Sequence, residues 1–364
     1  MVSRMVLNNL AHRPVRTALS VIAVGVEVLL IISVVGLVTG MVDEMARRMR
    51  GVGADILVQP PGASFLTGLS SAPMSAKIEQ VLLQVPHVRA AAPVLIHSSG
   101  GLTVIYGIDP QKFREVSGGF EVLEGREVQS GAEIMADDVY APSNHWGVGQ
   151  KVKFWDHDFQ VVGIVRHGRG ARLFVPLATA QEMLGEGNRV SLFFLRLDDP
   201  GQMEAALAGL KAKLPGYNIR SMEEYTSLMT VSSFPGLAPF VRVMIGIAVT
   251  IGFLVIFLAM YTTVLERTRE IGILKSLGAS QGYIAGLLLR EVLLVSLLGI
   301  AVGIGASFIL RKVVITAVPT LSVLITRGWL LRASGIAVAG ALVGALYPAL
   351  RAARQDAIEA LAYE

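Results

Sequence analysis

The stretch ALSVIAVGVEVLLIISVVGLVTGM, residues 18–41, is apolar or small throughout except for one acidic residue, Glu27. About 20 predominantly apolar residues in a helix are enough to cross the hydrocarbon core of a bilayer, and this stretch is longer than that. It also exceeds the hydrophobic region of a secretory signal, and the segment TGMVDEM at its end offers no small-x-small cleavage site. We therefore expect residues 18–41 to remain in the mature chain as a first membrane span.

Three further apolar stretches are long enough to cross a bilayer with modest tilt, at residues 243–261, 292–310 and 333–350. The composition also indicates a membrane protein. Apolar residues make up 53% and charged residues only 16% of the chain, whereas a soluble domain carries about 25% charged residues. The mean hydropathy of +0.58 points the same way. A chain of 364 residues could hold two or three soluble domains, but these values favour one folded domain plus a membrane bundle.

The positive charge of the chain does not indicate nucleic-acid binding. The net charge is +4 and the pI is near 9.4, but lysines and arginines form no stripe that alternates with aromatic residues. Basic residues that flank membrane spans and contact anionic lipid explain this charge better, so we expect no nucleic-acid partner. The chain has no cysteine, which excludes disulfides and thiolate metal sites.

Residues 42–242, between the first two spans, have the pattern of a folded α+β domain. The segment KVKFWDHDFQVVGIV (151–165) predicts a β-hairpin with its turn at Asp-His-Asp, and SLFFLRL (191–197) predicts another strand. Apolar residues recur at helical spacing in 75–85 and 202–214. The segments MVDEMARRMR after span one and SMEEYTSLM before span two also look helical. Both spans are therefore expected to continue as a stalk that carries the domain.

The predicted fold is an α-helical four-span membrane bundle with a large α+β extracytoplasmic domain inserted between spans one and two. Basic residues near the two ends of the spans are almost equal in number, so the positive-inside rule barely separates the two orientations. The predicted segments are an N-terminal segment (1–17), span one (18–41), the α+β domain with helical stalk ends (42–242), span two (243–264), a connecting helix and loop (265–291), span three (292–310), an outer loop (311–332), span four (333–350) and a C-terminal tail (351–364).

Small residues recur at four-residue spacing inside the spans. The pairs are Gly36 with Gly40, Gly299 with Gly303, and Gly340 with Gly344. Glycine is common in membrane helices in any case, but this spacing lets two helices approach closely in lipid, where packing drives their association. We expect helix contacts at these positions.

Two motifs for nucleotide binding and metal-dependent catalysis are absent from the sequence. It contains no G-x-x-x-x-G-K-[ST] phosphate loop and no H-E-x-x-H. The six histidines are dispersed, and the polar residues Asp156, His157 and Asp158 lie where the hairpin is expected to turn. We therefore expect no catalytic residue, no metal site and no cofactor bound by this chain.

The segment ERTREIGILKSLGAS, residues 266–280, concentrates charge between spans two and three. As a helix it would end at Gly278, and opposite charges would pair at i,i+3, namely Glu266 with Arg269 and Arg267 with Glu270. One face of this helix would be apolar, formed by Ile271, Leu274 and Leu277. Periodicity alone favours an anchor at the membrane surface whose basic residues meet lipid headgroups.

The same segment closely resembles the cytoplasmic signature of a superfamily of ABC-transporter permeases, the mechanotransmission type. This superfamily includes macrolide exporters (MacB), lipoprotein-release permeases (LolC) and FtsX. Further blocks resemble the family in the same order over nearly the whole chain, at NLAHRPVRTALSVIAV (9–24), VIYGIDP with FEVLEGRE (104–127), VGQKVKFWDHDFQVVGIV with FVPLATAQEMLG (148–185) and YPALRAARQDAIEAL (347–361). One departure is Ala357 after Asp356, where the family usually has proline, so the turn in the tail is expected to be softer.

The resemblance implies a homodimer of four-span subunits and two copies of a separate ABC ATPase subunit, which would bind ATP and Mg²⁺ itself. It places the two termini and residues 265–291 in the cytoplasm and residues 42–242 in the periplasm of a bacterium with the spans in its inner membrane. A periplasmic adaptor, an outer-membrane channel and membrane lipid are further expected partners. In this family the segment after span two is a coupling helix docked on the ATPase, and the matching residues are Glu266, Arg267, Thr268, Arg269, Glu270, Ile271, Gly272, Leu274, Lys275, Leu277, Gly278 and Ala279.

Glu27 is the one acid inside an otherwise apolar span. A charged side chain at the centre of the bilayer costs about 2.5–3.5 kcal/mol even on the lenient insertion scale, so Glu27 is expected to face protein or a cavity. It could be a protonated carboxyl hydrogen-bonded to a neighbouring helix, or it could lie at the dimer axis as a candidate substrate site. Both alternatives remain open from the sequence.

The function that the resemblance implies is export or extraction of a hydrophobic or amphipathic substrate. ATP hydrolysis by the partner would move the coupling helices, and the spans would pass this motion to the outer domains. The alternative is FtsX-like signalling across the membrane to extracytoplasmic hydrolases, and a receptor without any ATPase is a third reading. The large strand-rich outer domain favours the exporter, and the sequence does not identify the substrate or the direction of its movement.

Overall fold

The computed structural model describes residues 14–62, 74–98, 103–234 and 236–356. Within these ranges, four helices are long and apolar enough to cross a membrane. They are α1 (Pro14–Gly51), α8 (Leu237–Glu266), α10 (Gln281–Ala317) and α11 (Arg327–Arg354), numbered with the shorter helices in chain order. Each of them contains one predicted span. The predicted four-span bundle with an α+β domain between spans one and two is therefore confirmed.

The chain divides into two compact units. Among the described residues, the membrane unit comprises 14–40, 236–317 and 323–356, and the outer unit comprises 41–62, 74–98 and 103–234 with the short segment 318–322. Some predicted boundaries differ, because the helices run past the apolar stretches. Glu266 belongs to α8 and residues 281–291 belong to α10, so the predicted connecting segment 265–291 shrinks to a short helix and a turn. Residues 1–13 and 357–364 of the predicted terminal segments lie outside the described residues.

Two helices of the membrane unit, α1 and α10, are packed through the predicted glycine pair Gly299 and Gly303. A Cβ on Gly303 would lie 2.5 Å from the Gly25 carbonyl oxygen and 2.8 Å from Val28 Cβ, and one on Gly299 would lie 2.6 Å from Val24 Cβ. These distances are too short for any side chain larger than hydrogen, so α10 and α1 touch backbone to backbone.

The other glycines differ in what they contact. Gly344 of α11 faces the α8 backbone, because a Cβ there would lie 2.9 Å from the Phe253 carbonyl oxygen. Gly36 was expected to contact a helix but instead contacts the segment before α11, where the Leu324 N–H donates to the Gly36 carbonyl over 2.8 Å. Because Gly36 has no side chain, this segment can lie directly on α1.

The outer unit is built on a mixed sheet of ten strands with a separate two-stranded ribbon. The strands are β1 (Ile56–Gln59), β2 (Met74–Ser75), β3 (Val88–Ser98), β4 (Val104–Ile108), β5 (Val122–Gly125), β6 (Glu133–Asp137), β7 (Lys151–Phe154), β8 (His157–Val165), β9 (Leu173–Pro176), β10 (Arg189–Val190), β11 (Leu192–Leu197) and β12 (Asn218–Ser221). The order across the large sheet is β12-β1-β11-β3-β4-β9-β6-β8-β5, with β7 paired to β8, while β2 and β10 form the ribbon. Most pairs are antiparallel, and β4 with β9 and β6 with β8 are parallel.

Short helices complete the outer unit. They are α2 (Ile78–Leu82), α3 (Pro110–Ser117), α4 (Tyr140–Ser143), α5 (Leu177–Met183), α6 (Met203–Lys213) and α7 (Met222–Ser227). The predicted helices at 75–85 and 202–214 correspond to α2 and α6, and the predicted strand at 191–197 corresponds to β11. The core under α3 is aromatic, since Phe113, Phe174 and Phe194 are each at most 1% exposed and lie in contact. Burying such large side chains on both strands and helix stabilises the domain.

The predicted hairpin is present, but its turn is displaced. β7 and β8 pair antiparallel with Phe154 opposite His157, so the turn consists of Trp155 and Asp156 rather than Asp-His-Asp. Both turn residues have positive φ, +48° and +59°. A two-residue loop of this kind matches the twist of the strands. His157 and Asp158 consequently belong to β8.

The predicted stalk is continuous on one side only. α1 runs without a break from Pro14 to Gly51, as expected. Before span two, however, α7 ends at Ser227, and α8 begins at Leu237 after Gly236, which has a φ of +89°. A left-handed residue cannot continue a right-handed helix, so the expected helical stalk before span two is interrupted.

The contact of α1 with α10 can be tested with two glycines of one helix. Gly303→Ala places a methyl group against the Gly25 backbone, and we expect it to destabilise the chain by about 1–3 kcal/mol. Gly305, two residues further on, has no atom within 4 Å of its Cβ position. Gly305→Ala should therefore be neutral or stabilising by up to about 1 kcal/mol through helix propensity. Thermal unfolding of both variants in detergent measures the difference, and equal melting temperatures would contradict the contact.

Candidate functional site

The segment between α8 and α10 forms the predicted short helix, α9 (Thr268–Ser276). Arg267 separates it from α8 with a non-helical ψ of 14°, so the chain changes direction there. At the other end, Gly278 has a φ of +92°, and its N–H donates to the Lys275 carbonyl over 2.9 Å. Glycine adopts this conformation without strain, and the predicted end of the helix at Gly278 is confirmed.

One face of α9 is buried in the membrane unit. Thr268, Ile271 and Gly272 are buried there, and the Thr268 hydroxyl donates to the carbonyl oxygens of Val264 and Leu265. Ile271 is buried and Gly272 has no side chain, so α9 can lie close to its neighbours.

Arg267 lies in an internal ion pair. Its side chain is 11% exposed and donates to Glu270 (2.8 Å) and to Glu291 of α10 (3.1 Å), whose side chain is 12% exposed. The predicted pairing of Arg267 with Glu270 is therefore present. The family resemblance implied that these charges face a soluble partner, but the Arg267 guanidinium is paired inside its own chain. Its part in docking an ATPase stays a prediction.

Two further polar contacts link the segment to the other long helices. Arg16 of α1 donates to the Thr263 hydroxyl (3.1 Å) and to the Glu266 carboxylate, so the carboxylate expected to pair with Arg269 is bound by α1. Lys275 donates to the backbone carbonyl of Gln355, directly after α11. With the Arg267–Glu291 pair, these contacts connect residues 266–275 to α1, α10 and the end of α11, while α8 precedes them in the chain.

The outward face of α9 combines apolar and basic side chains. Leu277 is 80% exposed and Ile273 is 46% exposed, and Arg269 is also exposed. The sequence pattern placed Leu277 on the buried face with Ile271 and Leu274. It lies outside because α9 ends at Ser276 and the chain turns at Gly278. Ile273, which the helical pattern did not single out, joins it. Exposed apolar side chains of this size next to a charge are typical of a protein-binding face.

A small polar cavity lies beside these contacts. It has a volume of about 30 Å³, and its lining includes Arg16, Ser20, Thr263 and Glu291. This volume is sufficient for a water molecule, and the lining offers it several hydrogen-bond partners. The ends of α1, α8 and α10 that lie near α9 are thus joined through polar groups, whereas most of the membrane unit is apolar.

Glu27, the candidate substrate or dimer-axis residue, is 3% exposed inside one subunit. A Cβ added to Gly252 of α8 would overlap its carboxylate, and one added to Gly340 of α11 would lie 3.8 Å from Oε1. The carboxylate therefore fills a space left by two glycines. No hydrogen-bond partner of Oε1 is found among the described residues. Its role in substrate binding or at a dimer axis stays a prediction.

Metal-binding clusters of three or more His, Cys, Asp or Glu side chains do not occur in the described part of the chain. In the cluster singled out from the sequence, His157 Nδ1 lies 2.6 Å from the carbonyl oxygen of Trp155. This contact binds the ring within the hairpin turn. In the described membrane unit, the charged groups considered as functional candidates are the ion pairs of α9 and the buried carboxyl of Glu27.

The buried ion pair of Arg267 can be tested by reversing its charge. Arg267→Glu would place three carboxylates together, and we expect a loss of about 3–5 kcal/mol of stability. The double variant Arg267→Glu with Glu291→Arg restores opposite charges and should recover most of the loss, whereas Arg269→Glu should leave stability within about 0.5 kcal/mol of the parent. Thermal unfolding in detergent is the measurement. An Arg267→Glu chain as stable as the Arg269→Glu chain would contradict the internal pair.

Comparison with known proteins identifies both parts of the chain. Residues 17–213 match the family described as the MacB-like periplasmic core domain, and residues 242–357 match the FtsX-like permease C-terminal domain. Both matched families are domains of transporter permeases. The first of them alone covers more than half of the chain.

Curated relatives agree with these matches. An uncharacterized ABC transporter permease of Methanocaldococcus jannaschii is 22% identical over 311 residues, which cover 78% of this chain and 76% of that protein. The macrolide export ATP-binding/permease protein MacB of Aggregatibacter actinomycetemcomitans is 24% identical over 76% of this chain and 48% of its own length. MacB 2 of Aeromonas hydrophila is 27% identical over 100% of this chain and 60% of its own length. The chain thus spans about half to three fifths of these two MacB proteins.

Among solved structures, the periplasmic region of MacB from Actinobacillus actinomycetemcomitans superposes with a TM-score of 0.40 at 16% identity, over 50% of this chain and 95% of that one. The multi-span membrane unit, the outer α+β unit between its first two spans and the two family matches lead to one assignment. The chain belongs to the MacB-type ABC transporter permeases, with a MacB-like periplasmic core domain followed by an FtsX-like permease domain.

Proposed function

We propose that this chain is the permease subunit of an exporter that couples ATP hydrolysis by a separate ATPase to export or extraction of a hydrophobic or amphipathic substrate. The main support for this proposal is the outward face of α9, where Ile273 and Leu277 are exposed beside Arg269. The same helix is held on its other side by the bundle. A helix that is fixed on one face and apolar on the other is suited to receive a soluble partner and to pass on its motion.

The chemistry of this face fits a soluble protein better than a lipid surface. A lipid anchor would place Arg267 and Arg269 together at the headgroups, but Arg267 is bound to Glu291. Leu277 and Ile273 offer an apolar centre, and Arg269 offers a charged rim that an acidic residue of the partner can contact. This arrangement of an apolar anchor with a polar surround is typical of interface hot spots.

Transmission across the membrane would follow the polar contacts of residues 266–275. A displacement of α9 acts directly on α8, on α10 through Glu291, on α1 through Arg16 and on the end of α11 through Lys275. α1 then continues as one unbroken helix of 38 residues to Gly51. At 1.5 Å per residue such a helix is about 57 Å long, so it can act as a lever between the two sides of a membrane.

The assembly that this proposal requires is a homodimer with two ATPase subunits, which bind ATP and Mg²⁺. The sequence contains no phosphate loop of its own, which supports a partner as the nucleotide-binding subunit. We place the spans in a bacterial inner membrane with the outer unit in the periplasm, where an adaptor and an outer-membrane channel would complete an export path. The MacB-like periplasmic core supports the exporter over FtsX-like signalling to hydrolases.

The docking face can be tested by reversing its chemistry. The double variant Arg269→Glu with Leu277→Asp should fold normally, because both side chains are exposed, and should bind the partner ATPase at least about tenfold more weakly, as loss of an interface hot spot does. Arg269→Lys with Leu277→Met keeps the charge and the apolar contact and serves as the matched control. Binding and stimulated ATP hydrolysis are measured with purified proteins in nanodiscs.

Two results would decide between docking and an unrelated role of α9. Docking at this face is supported if the reversed variant loses binding and stimulated turnover while the matched control keeps both. Normal binding and normal stimulated turnover in that variant would contradict the proposal, because neither the charge of Arg269 nor the more exposed of the two apolar side chains, Leu277, would then contribute to binding.

A further inference from the structure

A basic pocket lies within the outer unit where α1 ends. Glu44, Arg47, Arg48 and Gly51 of α1 form one wall, and the loop between β8 and β9 forms the other with His167, Gly168 and Arg169. Its volume is about 410 Å³, well above the space of one water molecule. This pocket lies far along the chain from α9, and the proposed docking on α9 does not involve it.

The two walls are fixed to each other by backbone contacts. The Gly170 N–H donates to the Arg48 carbonyl over 2.9 Å, and a Cβ on Gly51 would overlap the Gly168 carbonyl oxygen. Gly168 itself has a φ of +107°, a conformation that favours glycine. The pocket is therefore a built feature of the outer unit and does not depend on side chains that happen to lie together.

Some charges of the pocket are already neutralised within the chain. Arg47 donates to Asp43 (2.5 Å) and to Glu44 (2.9 Å). His167 lies 2.8 Å from the Asp138 carboxylate. These pairs leave little capacity at Arg47 and His167 for a bound ligand.

The other two guanidinium groups of the pocket have no carboxylate in direct contact within the described part of the chain. Arg169 donates to the carbonyl oxygens of Ser117 (2.6 Å) and Val52 (3.4 Å), which are neutral acceptors. Nε of Arg48 is buried and has no hydrogen-bond partner among the described residues. An unpaired buried guanidinium nitrogen is costly, and an anion in the pocket would satisfy it.

The two acids that interact electrostatically with the Arg48 guanidinium, Glu44 and Asp137, are each bound to another arginine. Asp137 is 1% exposed and accepts from Arg172 over 3.1 Å, while its other oxygen accepts from the N–H groups of Val139 and Tyr140. Burial raises the pKa of Asp137 above its usual value, and the Arg172 guanidinium offsets this only in part. Both oxygens of Asp137 are thus engaged.

We propose that the pocket at the end of α1 binds a phosphate group, with Arg48 and Arg169 as its ligands. Two guanidinium forks match the charge and the several oxygens of phosphate better than those of a single carboxylate. The phosphate could belong to a free solute or to a lipid headgroup. Arg48 follows the last residue of the apolar stretch, Met41, by seven residues, about 10 Å along the helix at 1.5 Å per residue, so a phosphodiester headgroup and a solute are both sources to test.

Arginine-selective modification tests the proposal on the full chain. Purified protein in a maltoside detergent is treated with phenylglyoxal with and without inorganic phosphate, and modified arginines are quantified by mass spectrometry. Phosphate should protect Arg48 and Arg169 but leave the exposed Arg50 modified. In parallel, nanodiscs of phosphatidylglycerol are compared with nanodiscs of a galactolipid that has no phosphate. Protection by inorganic phosphate indicates a solute site, and protection by phosphatidylglycerol alone indicates a headgroup site.

Matched variants separate the pocket from general charge effects. Arg48→Gln should weaken phosphate binding, measured by calorimetry, about tenfold or more, or abolish the difference between the two nanodiscs if the site is a headgroup site. Arg50→Gln, which removes an equal charge from the same helix outside the pocket, should change neither result. Should Arg48→Gln not fold, protection of Arg169 in the parent chain decides the question. Absence of protection in both settings, or an equal effect of Arg50→Gln, would overturn the proposal.

Discussion

The buried ion pair between Arg267 and Glu291 is the interaction that fixes the short helix α9 to the rest of the membrane unit. It holds α9 against α10 in a part of the chain where ionic groups are rare, and breaking a pair that is nearly removed from water is expensive. The carboxylate of Glu266 and the ammonium of Lys275 add contacts to α1 and to the residue after α11. α9 therefore cannot move as a separate surface helix, because its displacement must deform or carry the four long helices.

Much of this architecture follows from the sequence because hydrophobic length is a strong signal. With no water in the bilayer core, the backbone must satisfy its own hydrogen bonds, so each long apolar stretch forms a helix. Glycine spacing likewise predicted the contact of α10 with α1, where a backbone carbonyl of α1 lies against Gly303. Strand β11 and helix α6 could also be predicted from the sequence, because their apolar residues have the pattern of a strand and of a helix, respectively.

The structure differs from the predictions made from sequence where a feature depends on residues that are distant in the chain. Whether Arg267 or Arg269 faces outward is decided by Glu291, which follows both by more than twenty residues and has no periodic signature. Leu277 fitted an apolar helical face, but the helix ends one residue earlier and the side chain is 80% exposed. The break before α8 depends on the backbone conformation of Gly236. The basic pocket joins Arg48 with Arg169, residues that no local pattern relates.

The central claim is that motion received at α9 reaches the outer unit, and a distance measurement tests it most directly. The chain has no cysteine, so Ser130→Cys, at an exposed position of the outer unit, supplies one spin label per subunit. Electron–electron double resonance on the proposed homodimer with its ATPase should give a distance between the two labels that changes by several ångströms, on the order of a small domain movement, between the nucleotide-free and the ATP–vanadate states. Identical distance distributions in an assembly that hydrolyses ATP would contradict the account.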